Sequence, residues 1–198
     1  MRAVVLAMAL LLVTSSCGPS ETAATAKPAP QNAQTATFAG GCFWCMEPPF
    51  EDLKGIHSVT AGYAFGEPAP SSKREAVKIV YDPNQITYEQ LLEIFWSNID
   101  PSDNKGQFCD RGDQYRSAIY YHDQEQKIRS NQSLVRIRKG ATFKVLTDIL
   151  PAQRFEPAPG YDQNYASTHP VRYAFYRYGC GRDQRLRKVW GAHSGHRR

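Results

Sequence analysis

The sequence predicts an α/β (α+β) two-layer sandwich. Segments of strand period and helix period follow one another in the order β-α-β-β-α-β, and the clearest helical segment gathers its large apolar residues on one face. The composition, 41% hydrophobic and 22% charged in 198 residues, fits one domain with one core.

Taken in order, residues 36–39 read as a short strand that ends at Gly40-Gly41. Residues 42–53 then carry helical periodicity. Pro48 and Pro49 lack N–H groups and fit only a first helical turn, so the regular helix is expected to start near residues 45–47, with Cys42 in the turn before it. Residues 57–63 and 75–81 read as strands, the second closed by the turn residues Asp82-Pro83-Asn84. After Thr87 as N-cap, Leu91, Leu92, Phe95, Trp96 and Ile99 share one face of a helix that ends before Pro101. Residues 117–121 are strand-like, 124–139 helical up to Gly140, and 142–150 a further strand. The first six elements give the split βαβ pattern of a ferredoxin-like two-layer sandwich. The C-terminal segment is expected to be irregular.

The N-terminus has a different character. Arg2 supplies a positive start, and residues 3–13 form an apolar run too short to span a bilayer but of secretory length. Thr14-Ser15-Ser16-Cys17 resembles the site where a bacterial lipoprotein is cut and its cysteine takes lipid. Thr14 stands where an aliphatic residue is more usual, so ordinary secretion is the alternative. The expected division is a signal peptide over 1–16, a flexible Ala-, Pro- and Thr-rich tether over 17–35, a catalytic domain over 36–191 and a basic tail over 192–198. The expected location is extracytoplasmic, periplasmic or anchored to a membrane through Cys17. The net charge of +5 is concentrated in residues 182–198, so it is weak evidence for nucleic acid; a solvated tail, or contact with an anionic membrane, accounts for it.

Chemistry concentrates at the cysteines. Cys42 follows a Gly-Gly hinge and opens toward a helix, where free N–H groups and the helix dipole favour a thiolate. Cys45 completes C-x-x-C, a spacing at which a second thiol reaches the first after oxidation. A permanent disulfide is possible in an exported protein. Zinc is disfavoured because Cys109 and Cys180 are isolated and the five histidines share no ligand spacing with the cysteines, so no metal is expected. Phe43 and Trp44 are either core residues or the wall that receives a small apolar group beside the nucleophile.

Gly40-Gly41-Cys42-Phe43-Trp44-Cys45-Met46-Glu47 closely resembles the signature of peptide methionine sulfoxide reductases of the A type. The resemblance continues through Ala61-Gly62-Tyr63, Glu75-Ala76-Val77, Tyr81-Asp82-Pro83, Tyr88-Glu89-Gln90-Leu91-Leu92 and Phe95-Trp96. It resumes at Gln107-Phe108-Cys109-Asp110-Arg111-Gly112 and Gln114-Tyr115-Arg116-Ser117-Ala118-Ile119.

That resemblance implies reduction of the S epimer of methionine sulfoxide, free or in peptides. Cys42 would attack sulfur and become a sulfenic acid, while Phe43 and Trp44 hold the methyl group. Glu75 would protonate the oxygen, Tyr63 and Tyr115 would hydrogen-bond it, and Asp110 would fix the polar side. Without the resemblance, the tyrosines read as half-buried structural residues and Glu75 as an exposed strand residue. The loop over 64–74 is shorter than the family's and carries Ser72-Lys73-Arg74 where a Gly-His-Ala run is usual, which makes Glu67 a back-up acid.

Cys45 is the first choice as resolving thiol, Cys180 the second because C-terminal cysteines play this part in relatives, and Cys109 is read as a small buried residue. No bound cofactor is expected. Electrons would come from a thioredoxin-like donor, and the chain is expected to act as a monomer. The rival functions are a general thiol-disulfide oxidoreductase and a non-enzymatic lipoprotein binding module.

Overall fold

In the computed structural model, residues 29–66 and 73–191 are described. The signal peptide, Cys17, most of the tether, Glu67 and the basic tail from 192 onward lie outside them. Among the described residues no helix is long and apolar enough to cross a membrane.

Strands β1 (Gln34–Ala39), β2 (Ile56–Phe65) and β3 (Lys73–Tyr81) and helix α3 (Tyr88–Ser97) form where their periodicity places them. Strand β1 begins inside the stretch read as tether. Two single-turn helices, α1 (Phe43–Met46) and α2 (Pro48–Glu51), replace the one helix expected over 42–53, because Pro48 has no N–H to continue α1 and instead opens α2. Two-residue strands β4 (Gly106–Gln107) and β5 (Asp110–Arg111) make a small separate ladder, and β6 (Ala118–Tyr121) and α4 (Gln124–Gly140) follow. The strand expected over 142–150 is mostly loop and shrinks to β7 (Asp148–Pro151); β8 (Phe155–Pro157) was not expected.

The sheet order is β7-β6-β1-β3-β2-β8. Its four central strands, β6-β1-β3-β2, are all antiparallel and constitute the split βαβ arrangement, with β7 added parallel to β6 and β8 antiparallel to β2. Strand alternation separates two faces. Phe38, Ala61, Val77, Ile79, Tyr81 and Ile119 point toward α3 and its apolar face, Leu91, Leu92, Phe95 and Trp96. Each large side chain buried there contributes about 1.5–3 kcal/mol. The opposite face carries small residues, Ala39, Ala64, Ala76 and Ala118, with Tyr120.

Helix α3 starts at a capping box, Thr87 accepting from the Gln90 N–H while the Gln90 side chain accepts from the Thr87 N–H. It is tied to the polar α4 by hydrogen bonds of Ser130 with the Tyr88 hydroxyl and of Ser133 with the Trp96 indole.

The C-terminal segment is helical where irregular chain was expected. It contains α5 (Tyr165–Thr168), α6 (Pro170–Gly179) and α7 (Arg182–Trp190). Nor is its start solvated, because Arg182 is only 1% exposed. Its guanidinium donates to the Gly40 and Asn98 carbonyls and lies 4.3 Å from the Phe108 ring centre, so it holds α7 against the Gly-Gly turn. Arg185 pairs with the buried Asp100 at 2.6 Å.

Candidate active site

The turn that carries Cys42 depends on its two glycines. Gly41 has φ +86°, and a Cβ there would lie 2.6 Å from the Gln107 Cβ; at Gly40 a Cβ would lie 2.5 Å from the Met46 sulfur. Only glycine allows the backbone this close to α1 and to the buried Gln107. Cys42 emerges as the N-cap of α1, with its thiol free and 6% exposed.

Strand pairing brings the acid to it. Tyr63 on β2 is the register partner of Glu75 on β3, and Glu75 lies on the same sheet face as Val77 and Ile79, at the end of the core nearest α1. Its carboxylate accepts the Phe43 N–H at 3.2 Å and a hydrogen bond from Tyr115. Glu75 is 8% exposed, not the exposed strand residue that composition alone suggested. Burial is the main cause that lifts its pKa from 4.5 to about 7, which leaves a carboxyl able to hold a proton near neutrality.

The thiol differs from the sequence expectation. Burial first, then the neighbouring Cys45, pushes the Cys42 pKa up, and the nearby Tyr176 hydroxyl and Trp44 N–H only partly offset this. One helical turn also offers too few aligned peptides to hold an anion against that desolvation. In this closed arrangement Cys42 is therefore a protonated thiol. The Tyr176 hydroxyl donates to Asp110 at 2.5 Å and lies beside the Cys42 sulfur, the neighbour to which its proton would turn if that sulfur became an anion.

The C-terminal helices supply the cover. Tyr165 on α5 stacks on Trp44 with ring centres 3.8 Å apart, the Trp44 indole N–H donates to Asp162 at 3.1 Å, and Tyr176 on α6 meets the Trp44 ring edge at 5.8 Å. Phe43 is buried and meets Tyr63 edge to face at 5.9 Å. Tyr63 and Tyr115 are half-buried with raised pKa values, caused first by burial and then by Glu75. Glu47, the last residue of the signature, is fully buried; it accepts the Asn164 N–H at 3.1 Å, and its pKa is lifted to about 7, mainly by burial.

The structure thus gathers Cys42, Phe43, Trp44, Cys45, Tyr63, Glu75, Asp110 and Tyr115 into one cluster. Asp162, Tyr165 and Tyr176 belong to it too and were missed. The available signal was the aromatic density of residues 161–178.

The remaining cysteines need a correction. Cys109 is exposed rather than a small buried residue, and it is disulfide-bonded to Cys180 across 71 residues, with Cα atoms 4.8 Å apart. Position 109 lies between β4 and β5 at the surface. Cys45, 1% exposed, is free.

Comparison with known proteins agrees with this geometry. Residues 34–194 match the family described as peptide methionine sulfoxide reductase. The chain is 44% identical over 170 residues to the peptide methionine sulfoxide reductase MsrA of Bacillus licheniformis, covering 80% of this chain and 94% of that protein. It is 38% identical over 200 residues to MsrA 2 of Caulobacter vibrioides, covering 96% and 98%. Among solved structures it resembles reduced Mxr1 of Saccharomyces cerevisiae, with a TM-score of 0.67 and 28% identity over 74% of this chain and 91% of that one. It also resembles methionine sulfoxide reductase A of Corynebacterium diphtheriae, with a TM-score of 0.62 and 25% identity over 72% and 77%.

Proposed function

The chain belongs to the peptide methionine sulfoxide reductase family and is a peptide-methionine (S)-S-oxide reductase; from that premise we propose which of its residues carry the reaction. Cys42 is the nucleophile. The observation that supports this is a buried free thiol beside a buried carboxyl whose pKa is raised to about 7, with aromatic rings packed around them. A sulfoxide oxygen leaves only once protonated, so Cys42 attacks sulfur while Glu75 gives its proton to the oxygen. The oxygen, now a hydroxyl, passes to the Cys42 sulfur as the bond between the two sulfurs breaks with its electron pair on the substrate, so methionine departs and Cys42 is left as a sulfenic acid.

Tyr63 and Tyr115, both close to Glu75, hydrogen-bond the oxygen, and Asp110 holds the polar rim through Tyr176. Phe43 and Trp44 receive the methyl group. Tyr165 now covers the face of Trp44, so α5 and α6 move outward when substrate enters.

Cys45 resolves the sulfenic acid, with Cys180 the alternative, and a thioredoxin-like dithiol returns the electrons. No prosthetic group takes part. The apolar run before Thr14-Ser15-Ser16-Cys17 supports export and lipidation of Cys17, and with them a location outside the cytoplasm on a tether.

The deciding experiment is turnover of each methionine sulfoxide epimer by wild type and Cys42→Ser with dithiothreitol. The S epimer alone should be reduced, and only by wild type. Retained activity in Cys42→Ser would remove the nucleophile from the scheme, and insulin reduction without sulfoxide reduction would favour a general thiol-disulfide oxidoreductase.

A further inference from the structure

Glu47 closes the signature around Cys42 but takes no part in the chemistry proposed above. It is fully buried, and one of its carboxyl oxygens, Oε2, has no hydrogen-bond partner. Burying an ionisable side chain with an unpaired oxygen costs free energy that an apolar side chain of similar size would not, so packing alone does not explain a glutamate at this position. Its other oxygen accepts the Asn164 N–H at 3.1 Å, across 117 residues of chain.

Both ends of that bond are fixed to the site. Glu47 ends α1 and opens α2, and its N–H donates to the Phe43 carbonyl, so a single helical turn sets its place relative to Trp44. Asn164 stands directly before α5 in the left-handed region, at φ +53°. Its carbonyl accepts the Thr168 N–H and the Ser167 and Thr168 hydroxyls, so Asn164 is bound to α5 on one side and to Glu47 on the other. One residue earlier, the Gln163 amide exchanges hydrogen bonds with the Ala61 N–H and carbonyl on β2. Asn164 is therefore the pivot between chain tied to the sheet and the short helix α5. Beyond the pivot, Tyr165 lies on Trp44 with ring centres 3.8 Å apart, and His169 stacks on Tyr165 at 4.5 Å.

We infer that Glu47 is a positioning residue that latches α5 over the nucleophile: its bond to Asn164 holds the Tyr165 ring on the face of Trp44, and releasing that bond opens the way to Cys42. This rests on the function proposed above, in which Trp44 receives the substrate methyl group. Tyr165 occupies the place of that group, so substrate and cover compete for one surface. The open form is the one that binds, and the apparent affinity is the affinity of the open form reduced by the fraction of molecules that are open. A weaker latch therefore exposes Cys42 and tightens substrate binding by one and the same factor, as long as the closed form predominates. Damage to the site would do the reverse and weaken binding.

The test compares Glu47→Met, which keeps a side chain of similar size and removes the acceptor, with Glu47→Gln, whose amide oxygen can still accept the Asn164 N–H. The full chain, with its Cys109–Cys180 bond intact and Cys42 and Cys45 free, is treated with iodoacetamide, and the Cys42 adduct is followed by mass spectrometry. Glu47→Met should raise the Cys42 rate about 2- to 10-fold, the range that one net hydrogen bond represents, and Glu47→Gln should stay within about twofold of wild type. In a Tyr165→Ala chain the methionine substitution should add no further acceleration. An unchanged rate in Glu47→Met, an equal rise in Glu47→Gln, or full acceleration in the Tyr165→Ala chain overturns the latch. In single-turnover formation of methionine by the reduced chain, the half-saturating concentration of the S sulfoxide should fall in Glu47→Met by the factor seen in alkylation. If alkylation quickens and that concentration does not fall, the latch stands and the place of the methyl group on Trp44 is wrong. If wild type forms no methionine, the proposed function itself falls.

Discussion

Replacing Glu75 by glutamine removes a transferable proton while keeping the side chain's size and an oxygen that can still accept the Phe43 N–H. The reactive enzyme needs a thiolate on Cys42 and a proton on Glu75 at once. Burial holds the thiol above its ordinary range, and Glu75 titrates near 7. Below pH 7 the acid is already protonated and each pH unit gives tenfold more thiolate, so the single-turnover rate rises tenfold per unit. Above pH 7 the gain in thiolate is matched by an equal loss of protonated Glu75, and the rate levels off. Glu75→Gln should lower the rate at neutral pH by about 10²- to 10⁴-fold, the usual contribution of a general acid, equivalent to roughly 3–5 kcal/mol of barrier. The break near pH 7 should vanish with it, leaving a rate that keeps rising. Rapid-quench measurement of methionine formed from the S sulfoxide by the reduced chain, across pH 5 to 9, reads both effects. A variant within a few-fold of wild type, or one that keeps the break, would refute the role.

Three further outcomes follow from the geometry. Glu47 and Glu75 both have folded pKa values lifted from 4.5 to about 7, so the native state binds more protons than the unfolded chain between those values. Their contribution to stability is complete below pH 4.5 and is lost as pH rises toward 7, by about 3 kcal/mol apiece, so urea midpoints should fall across that window and fall less in Glu47→Gln. Tyr165→Ala removes the ring stacked on Trp44, an interaction of about 0.5–1.5 kcal/mol, and should speed alkylation of Cys42 by iodoacetamide roughly 2- to 10-fold; an unchanged rate would mean that α5 does not control access. Arg182→Met leaves the Gly40 and Asn98 carbonyls without their donor and should cost about 2–4 kcal/mol in urea unfolding, with a loss under 1 kcal/mol contradicting its place as the clamp on the Gly-Gly turn.

Chain-local physics determined a large part of this protein. The alternation of 75–81, the Thr87 cap with its apolar helical face, and the glycines before Cys42 each specify their conformation from neighbours in sequence, which is why the split βαβ order and the signature around Cys42 were legible. Proline-driven detail was only half legible: Pro48 and Pro49 marked a first turn, but not that the helix would break in two.

What required the tertiary structure were quantities set by groups far apart in the chain. The protonation of Cys42 and Glu75 depends on desolvation, and desolvation depends on what α5 and α6 cover. Their contacts with the site are made by single aromatic side chains, Tyr165 on α5 and Tyr176 on α6, with Asp162 just before α5, and local period does not say which distant residues such side chains will cover. The partner of Cys109 lay 71 residues away, and sequence spacing says nothing about which two sulfurs a fold brings together. Residue type and local period fix elements and the identity of the reactive groups; burial, pairing and charge belong to the assembled chain, because water is excluded and sulfurs are matched only once the layers close.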